Sequence, residues 1–377
     1  MIDLIIMSSF KIGYINIYGQ TGFSRSKVIE LENVINCHKL DVVCLQETDV
    51  SQNTFSECNI LRRFSPIINN SSTGYGTCTL VSNNLSIDNI IKDSDGRFIS
   101  VDVDGSTIVN LYLPSGTDQN SKSKREDMID SIPNLLLYKK QNGVCGGDFN
   151  SIVDKKDSLI HPDQKMSKCL SKLIKLYGLK DAFRALYPHS RQYSRYYIAK
   201  GVQGATRIDR CYVWGRLEVD EAVYIPVSFS DHLGHIVTFK TQTRCASENP
   251  RNRSIFKIKH NLVEDQIFLE RIREAYPQWL KIKEGLSPTF WWENVFKKEI
   301  KSLAIFRQRE INNQKCRELA ALQLKLSYYL RKLKSSIYRE QNVQWMTKYE
   351  TAKQNLNAFY KDRANIILHQ NRAEEFD

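Results

Sequence analysis

The stretch Val144-Cys145-Gly146-Gly147-Asp148-Phe149-Asn150 decides how this chain is read. An apolar run leads into two glycines, and a carboxylate and an amide follow two residues apart. Loops at strand ends are where scaffolds present reactive groups. Alone, a Gly-Gly-Asp run is usually a turn, a Glu after a strand is usually solvated, and Asp-His side by side is common. The companions change its weight. Asn16 sits in Gly13-Tyr14-Ile15-Asn16, and Glu47 ends Val42-Val43-Cys44-Leu45-Gln46-Glu47. Tyr112 lies in Asn110-Leu111-Tyr112-Leu113-Pro114, and Thr206-Arg207-Ile208-Asp209 is followed by Ser230-Asp231-His232. Chance does not readily place all of these at the ends of successive strand candidates.

The set has a chemical logic. Phosphodiester hydrolysis needs a hard cation for the phosphoryl oxygens, an activated water, and donors aimed at the transition state. Glu47 and Asp231, with the Asn16 amide as neighbour, suit Mg²⁺, and Mn²⁺ could replace it. Asp148 and Asn150 form a second pair able to orient water and donate to phosphate. His232 beside a carboxylate such as Asp209 stays protonated and can hold phosphate oxygens. No His-x-x-x-His or Cys–His spacing points to zinc.

Around these motifs the 377 residues divide in two. Up to about residue 240, short apolar runs are broken by Gly, Asn, Ser and Asp, as strands and loops are. Strands are expected at Lys11–Ile17, Asp41–Leu45, Thr77–Val81, Thr107–Leu113, Arg207–Val213 and His235–Phe239. Helices are expected at Ser24–His38, with Ser24 as N-cap, and at Met166–Tyr177. This pattern predicts one α/β domain over 1–243. Polar Thr241–Asn261 opens a linker over 244–288, and the last proline, Pro288, closes it. A basic helical region then fills 289–377. Leu319, Leu322, Leu326, Tyr329 and Leu333 make one apolar stripe. Trp345, Tyr349, Ala352, Leu356 and Phe359 make another. Two stripes separated by polar Arg339–Asn342 predict an antiparallel helical hairpin.

The net charge is +12, and residues 244–377 supply +10 of it, from 26 Lys+Arg against 16 Asp+Glu. Such asymmetry points to a polyanion. Lys297, Lys298, Lys301, Arg307 and Arg309 form one candidate nucleic-acid contact, and Arg331, Lys332 and Lys334 a second. The alternative is that these charges only solvate helices. No apolar run reaches membrane length, the first ten residues lack a basic n-region, and nine cysteines include no Cys-x-x-Cys pair. An intracellular, reducing location is expected.

The order of the motifs resembles the endonuclease/exonuclease/phosphatase superfamily, with its DNase I-like fold. The matching segments are Ile15-Asn16, Leu45-Gln46-Glu47-Thr48, Leu111-Tyr112-Leu113-Pro114, Gly147-Asp148-Phe149-Asn150, Arg207-Ile208-Asp209 and Ser230-Asp231-His232. Within it the chain is similar to the N-terminal endonuclease of LINE-type non-LTR retrotransposons, and Trp291-Trp292-Glu293 with the Lys-rich helix fits the region after that domain. The resemblance implies a four-layer α/β sandwich followed by an α-helical extension. It implies that Glu47 binds the metal, Asp148 orients or deprotonates water, and Asn16 and Asn150 hold the site. Tyr112 would contact the scissile phosphate, and His232, oriented by Asp209, would stabilise the transition state with Asp231 near the metal. The implied activity is nicking of duplex DNA to leave a 3′-hydroxyl primer for target-primed reverse transcription in the nucleus. The implied partners are element RNA and a reverse transcriptase domain of the same polyprotein. No Tyr/Phe-x-Asp-Asp motif occurs within these residues. Two readings compete. Abasic-site endonucleases usually carry Trp ahead of the Arg-x-Asp segment, where this chain has Ala205-Thr206. An inactive nuclease fold serving assembly would have lost Glu47, Asp148 or His232, and all three are present.

Overall fold

The computed structural model describes residues 7–18, 23–51, 54–55, 60, 62–71, 75–136, 139–160, 163, 166–199, 202–242, 258, 260–335 and 339–374. Two six-stranded sheets dominate. In spatial order the first runs Glu218–Ile225 (β13), Gly234–Gln242 (β14), Met7–Asn16 (β1), Val42–Thr48 (β2), Gly76–Ser82 (β4) and Phe64–Asn69 (β3). The second runs Ile87–Lys92 (β5), Phe98–Val103 (β6), Ser106–Tyr112 (β7), Gly143–Asp148 (β8), Asp209–Trp214 (β12) and Lys180–Asp181 (β9). Both are mixed: β1 pairs parallel to β2 and β7 parallel to β8, among antiparallel neighbours. A separate two-stranded ribbon joins Arg195–Ala199 (β10) to Val202–Thr206 (β11).

Helix α1, Arg25–His38, covers the outer face of the first sheet, where Val28, Leu31 and Ile35 pack on Ile15, Val43, Leu45 and Leu80. Ser24 precedes α1 as its N-cap but makes no side-chain capping bond. Helices α2, Gln119–Leu135, and α3, Lys168–Leu176, cover the other sheet, with Ile129, Ile132, Leu170 and Leu173 on Leu111, Leu113 and Phe149. Burying each such side chain contributes about 1.5–3 kcal/mol. The expected layered α/β sandwich is thus observed. A short helix α4, Ala182–Leu186, completes this part.

Where the two sheets face one another the filling is partly polar. The Gln46 Nε2 donates to Asn110 Oδ1 at 2.8 Å, and Asn110 Nδ2 donates to the carbonyls of Leu45 and Cys78, both at 3.1 Å. Gly146 lets the sheets approach here, because a Cβ on it would stand 2.4 Å from the Tyr14 ring.

The interval expected as a linker is helical from His260 on. It holds α5, His260–Val263, and α6, Gln266–Lys283, with Asp265 capping the Phe268 amide at 2.8 Å. After α7, Pro288–Trp291, and one π-helical turn at Trp292–Phe296 come the long helices α8, Lys297–Ser335, and α9, Arg339–Glu374. Tyr329 and Trp345 meet at 6.3 Å between ring centroids, as an antiparallel hairpin requires. The chain divides into two compact units. One contains Met1–Ala246 together with Leu326–Tyr360, and the other Ser247–Lys325 with Lys361–Asp377. In the second unit Leu262, Phe268 and Ala304 form a small core. No helix among the described residues is long and apolar enough to cross a membrane.

Candidate active site

The carboxyl ends of β1, β2, β7 and β8 and the start of β12 converge. At the end of β2 the pairing with β4 shifts register between Gln46 and Thr48, and Glu47 at the bulge has φ +56°. A non-glycine residue in that region is held there by its surroundings and is a functional pointer. Gly147 has φ +134°, and a Cβ would fall 2.0 Å from the Leu111 carbonyl oxygen, so this position requires glycine. The sharp exit it permits delivers Asp148 and Asn150.

Asn16 stands at the centre of the contacts. Its Nδ2 donates to Glu47 Oε1 at 3.1 Å and to Asp148 Oδ2 at 3.2 Å. The Tyr112 hydroxyl donates to the same Glu47 oxygen at 3.3 Å. Asn150 serves Asp148 twice, from its backbone N to Oδ1 at 2.9 Å and from Nδ2 to Oδ2 at 3.1 Å. On the other side His232 Nδ1 meets Asp209 Oδ2 at 2.9 Å. Asp148, Asp209 and His232 bring side-chain ligand atoms within 4.8 Å of one another. His232 Nε2 and Asp231 Oδ1 are 3.9 Å apart. The catalytic and metal-site residues expected within 1–243 therefore lie in one connected group.

The charges are shaped by burial. Burial pushes the Asp148 carboxyl up, the Asp209 charge adds to it and His232 opposes, leaving it at about 7. Burial alone would lower His232, but Asp209 overcomes this and raises it to about 9. Asp231 is pushed up by burial, yet His232 and Arg195 prevail and hold it below the ordinary carboxylate value. As cation ligands the residues offer oxygen: the Glu47 carboxylate, the Asn16 amide, and Asp231, whose Oδ1 is buried without a hydrogen bond. That donor set fits a hard divalent ion such as Mg²⁺.

Several contributors lie beyond the catalytic and metal residues expected from the motifs. Arg195 on β10 donates Nε to Asp231 Oδ2 at 2.7 Å, and bridges backbone to backbone with His232. Arg97 lies 4.7 Å above the Tyr112 ring, and Lys27 donates to the carbonyls of Ile17 at 2.9 Å and Tyr18 at 3.0 Å. Isolated basic residues carry no signal of such placement. Ser194 and Ser230 fix the loops: Ser194 Oγ accepts from the Asp209 amide at 3.1 Å, and Ser230 Oγ from the His232 amide at 3.1 Å. Arg207 turns inward, with Nε on Asp157 Oδ1 at 2.8 Å and Nη2 on Asp181 Oδ2 at 2.7 Å, and so anchors the segment entering Asp209.

The basic residues of the extension make contacts within it. Arg307 is engaged by Asp265 at 2.9 Å and by Glu310 at 3.1 Å, and Lys297 pairs with Glu293 at 2.6 Å. Lys298 donates to Asn294 at 3.2 Å. Arg307 thereby joins α8 to the cap of α6, while Lys297 and Lys298 bond residues one turn back. Lys301, Arg331 and Lys332 are exposed.

Solved structures of the same fold include an AP endonuclease from Archaeoglobus fulgidus, 20% identical, with TM-score 0.52, over 61% of this chain and 99% of that one. The AP endonuclease LMAP from Leishmania major is 20% identical with TM-score 0.52, over 62% and 88%. The 3′ phosphatase NExo from Neisseria, bound to product DNA hairpin, is 18% identical with TM-score 0.52, over 61% and 99%. Among curated protein sequences none matches the chain. The profile of the Endonuclease/Exonuclease/phosphatase family matches residues 13–232, from the strand bearing Asn16 to His232 itself. The chain belongs to that family.

Proposed function

We propose that this protein is a metal-dependent DNA endonuclease that hydrolyses a phosphodiester of intact duplex. The observation that carries the reading is the continuous chain from Tyr112 and Glu47 through Asn16 to Asp148 and on to the Asp209–His232 pair. A divalent cation held by Glu47, with Asn16 and Asp231 as neighbours, would neutralise charge developing on the phosphoryl oxygens. Asp148, poised at about 7, accepts the proton of the attacking water while Asn16 and Asn150 fix its carboxylate. His232, a cation at neutral pH, gives Nδ1 to Asp209 and keeps Nε2 for a phosphate oxygen. Asp209 sets the ring and its charge. Tyr112, tied to Glu47, offers its hydroxyl beside the scissile group.

Nicking of a target to prime reverse transcription is the biological setting we infer, from the retrotransposon-like motifs and the helical region after them. The AP endonucleases of the same fold support a second reading, cleavage at abasic sites. Mg²⁺-dependent cleavage of intact and abasic duplexes side by side separates the two. Comparable rates on both support the proposal, and cleavage confined to the abasic duplex overturns it.

A further inference from the structure

Arg195 belongs to none of the motif segments, yet its side chain reaches the candidate metal site. It stands on β10, paired with Thr206 of β11. Its Nε and Nη2 both lie 2.7 Å from one oxygen of Asp231, Oδ2. The other oxygen, Oδ1, is buried without a hydrogen bond and stands 3.9 Å from His232 Nε2. Asp209, His232, Asp231 and Arg195 thus form a row in which carboxylate and base alternate, with links of 2.9, 3.9 and 2.7 Å. Tyr197, two residues along and on the same face of the strand, has its ring centroid 5.8 Å from the Arg195 guanidinium carbon.

The backbone around this pair is held by other groups. Arg195 and His232 form an antiparallel backbone bridge, and the Leu233 amide donates to the Ser194 carbonyl at 2.7 Å. At the other end of the loop, buried Glu30 of α1 accepts from the Ser228 amide at 2.6 Å and from the Ser228 hydroxyl. The Arg195 side chain is therefore left to govern how the Asp231 carboxylate is turned. Hydrogen bonds between a guanidinium and a carboxylate are among the strong ones. With side chains 33% and 28% exposed, the two are only partly screened by water. Without the guanidinium, the donor nearest the carboxylate is His232 Nε2, which would draw Oδ1 to itself. That single movement would take an oxygen from the cation and a donor from the phosphate.

We propose that Arg195 is a positioning residue of the metal site: by holding Oδ2 of Asp231, it keeps Oδ1 for the cation and leaves His232 Nε2 for the phosphate. The proposal rests on the metal assignment of the nuclease reading, and metal binding tests it without turnover. Groups that orient metal ligands typically contribute about 10–100-fold to metal affinity or activity. The probe is Mn²⁺ alone, titrated into the full chain and followed by the electron paramagnetic resonance of the free ion. Arg195→Met should weaken Mn²⁺ binding about tenfold. Arg195→Lys, which returns a cation to the same oxygen, should recover most of the loss. In an Asp231→Asn background Arg195→Met should add nothing, because the two residues act as one unit. A folded Arg195→Met chain with wild-type Mn²⁺ affinity overturns the proposal. Should Arg195→Met alone fail to fold, the double variant removes both charges together. A loss of Mn²⁺ affinity there beyond that of Asp231→Asn overturns the proposal equally. Mn²⁺ binding that falls as expected in a chain that never nicks DNA supports the positioning role and counts against the nuclease reading. A wild-type chain that takes no Mn²⁺ overturns both.

Discussion

Asp148 and His232 sit in one cluster with opposite needs. The first must lose a proton to act and the second must keep one. With Asp148 at about 7 and His232 at about 9, nicking should rise as pH passes about 7 and fall as it passes about 9. Asp148→Asn and His232→Ala should each lower the rate about 10²–10³-fold without loss of fold. A pH–rate profile on His232→Ala should lack the alkaline limb, and retention of that limb would show it belongs to another group. Asp157 makes a structural counterpart. Burial pushes it up, but Arg210 and Arg207 overcome that and hold it at about 2. A carboxyl depressed in the folded state stabilises above its unfolded value, near 4, and that contribution is lost as pH falls through about 2. Asp157→Asn leaves Arg210 buried without its carboxylate partner and Arg207 with Asp181 alone, which should cost about 3–5 kcal/mol at pH 7 by denaturant melts. The gap from wild type should narrow toward pH 2.

The long helices carry the charge surplus, and their structure sorts the basic residues into two kinds. Arg307 binds Asp265, which caps α6, and Glu310, and Lys297 binds Glu293 one turn back. Arg331 and Lys332 remain exposed on α8. Replacing both of the latter with Ala should shallow the slope of log affinity against log salt on duplex DNA by about 2. An unchanged slope would leave these residues as solvating charges. The elements also show where sequence is transparent. Strands β2 and β12 lie within a few residues of the expected Asp41–Leu45 and Arg207–Val213, since buried strands read as apolar runs stopped by turn residues. Helix α2 was not legible, because its seventeen residues bury only Arg125, Ile129 and Ile132 in a polar sequence with Pro133. The ribbon β10–β11 mixes Tyr, Arg and Gly without alternation. The helical stripes were half right: Leu326, Leu333, Tyr349, Ala352 and Leu356 are buried as expected, but Leu330, Met346 and Tyr360 take the places given to Tyr329, Trp345 and Phe359. A stripe reports that a helix is covered and is silent on the covering surface.

At the scale of the molecule, two facing sheets bring together residues as far apart in sequence as Asn16 and His232, and the motif order alone carried that convergence. The partners that fix the motifs, such as Arg195, Lys27 and Glu30, became visible only through the fold, since each depends on a contact remote in sequence. The central claim is that this convergence hydrolyses DNA with a divalent ion. The most direct measurement is nicking of supercoiled plasmid by the full chain in Mg²⁺, with the ends of the cut strand characterised. The account predicts open circles whose nicks carry a 3′-hydroxyl that a polymerase extends, arrest by EDTA, restoration by Mg²⁺ ahead of Zn²⁺, and a loss of about 10²–10³-fold in Glu47→Ala. Plasmid left intact by the wild-type chain, or nicked equally in excess chelator, would contradict it.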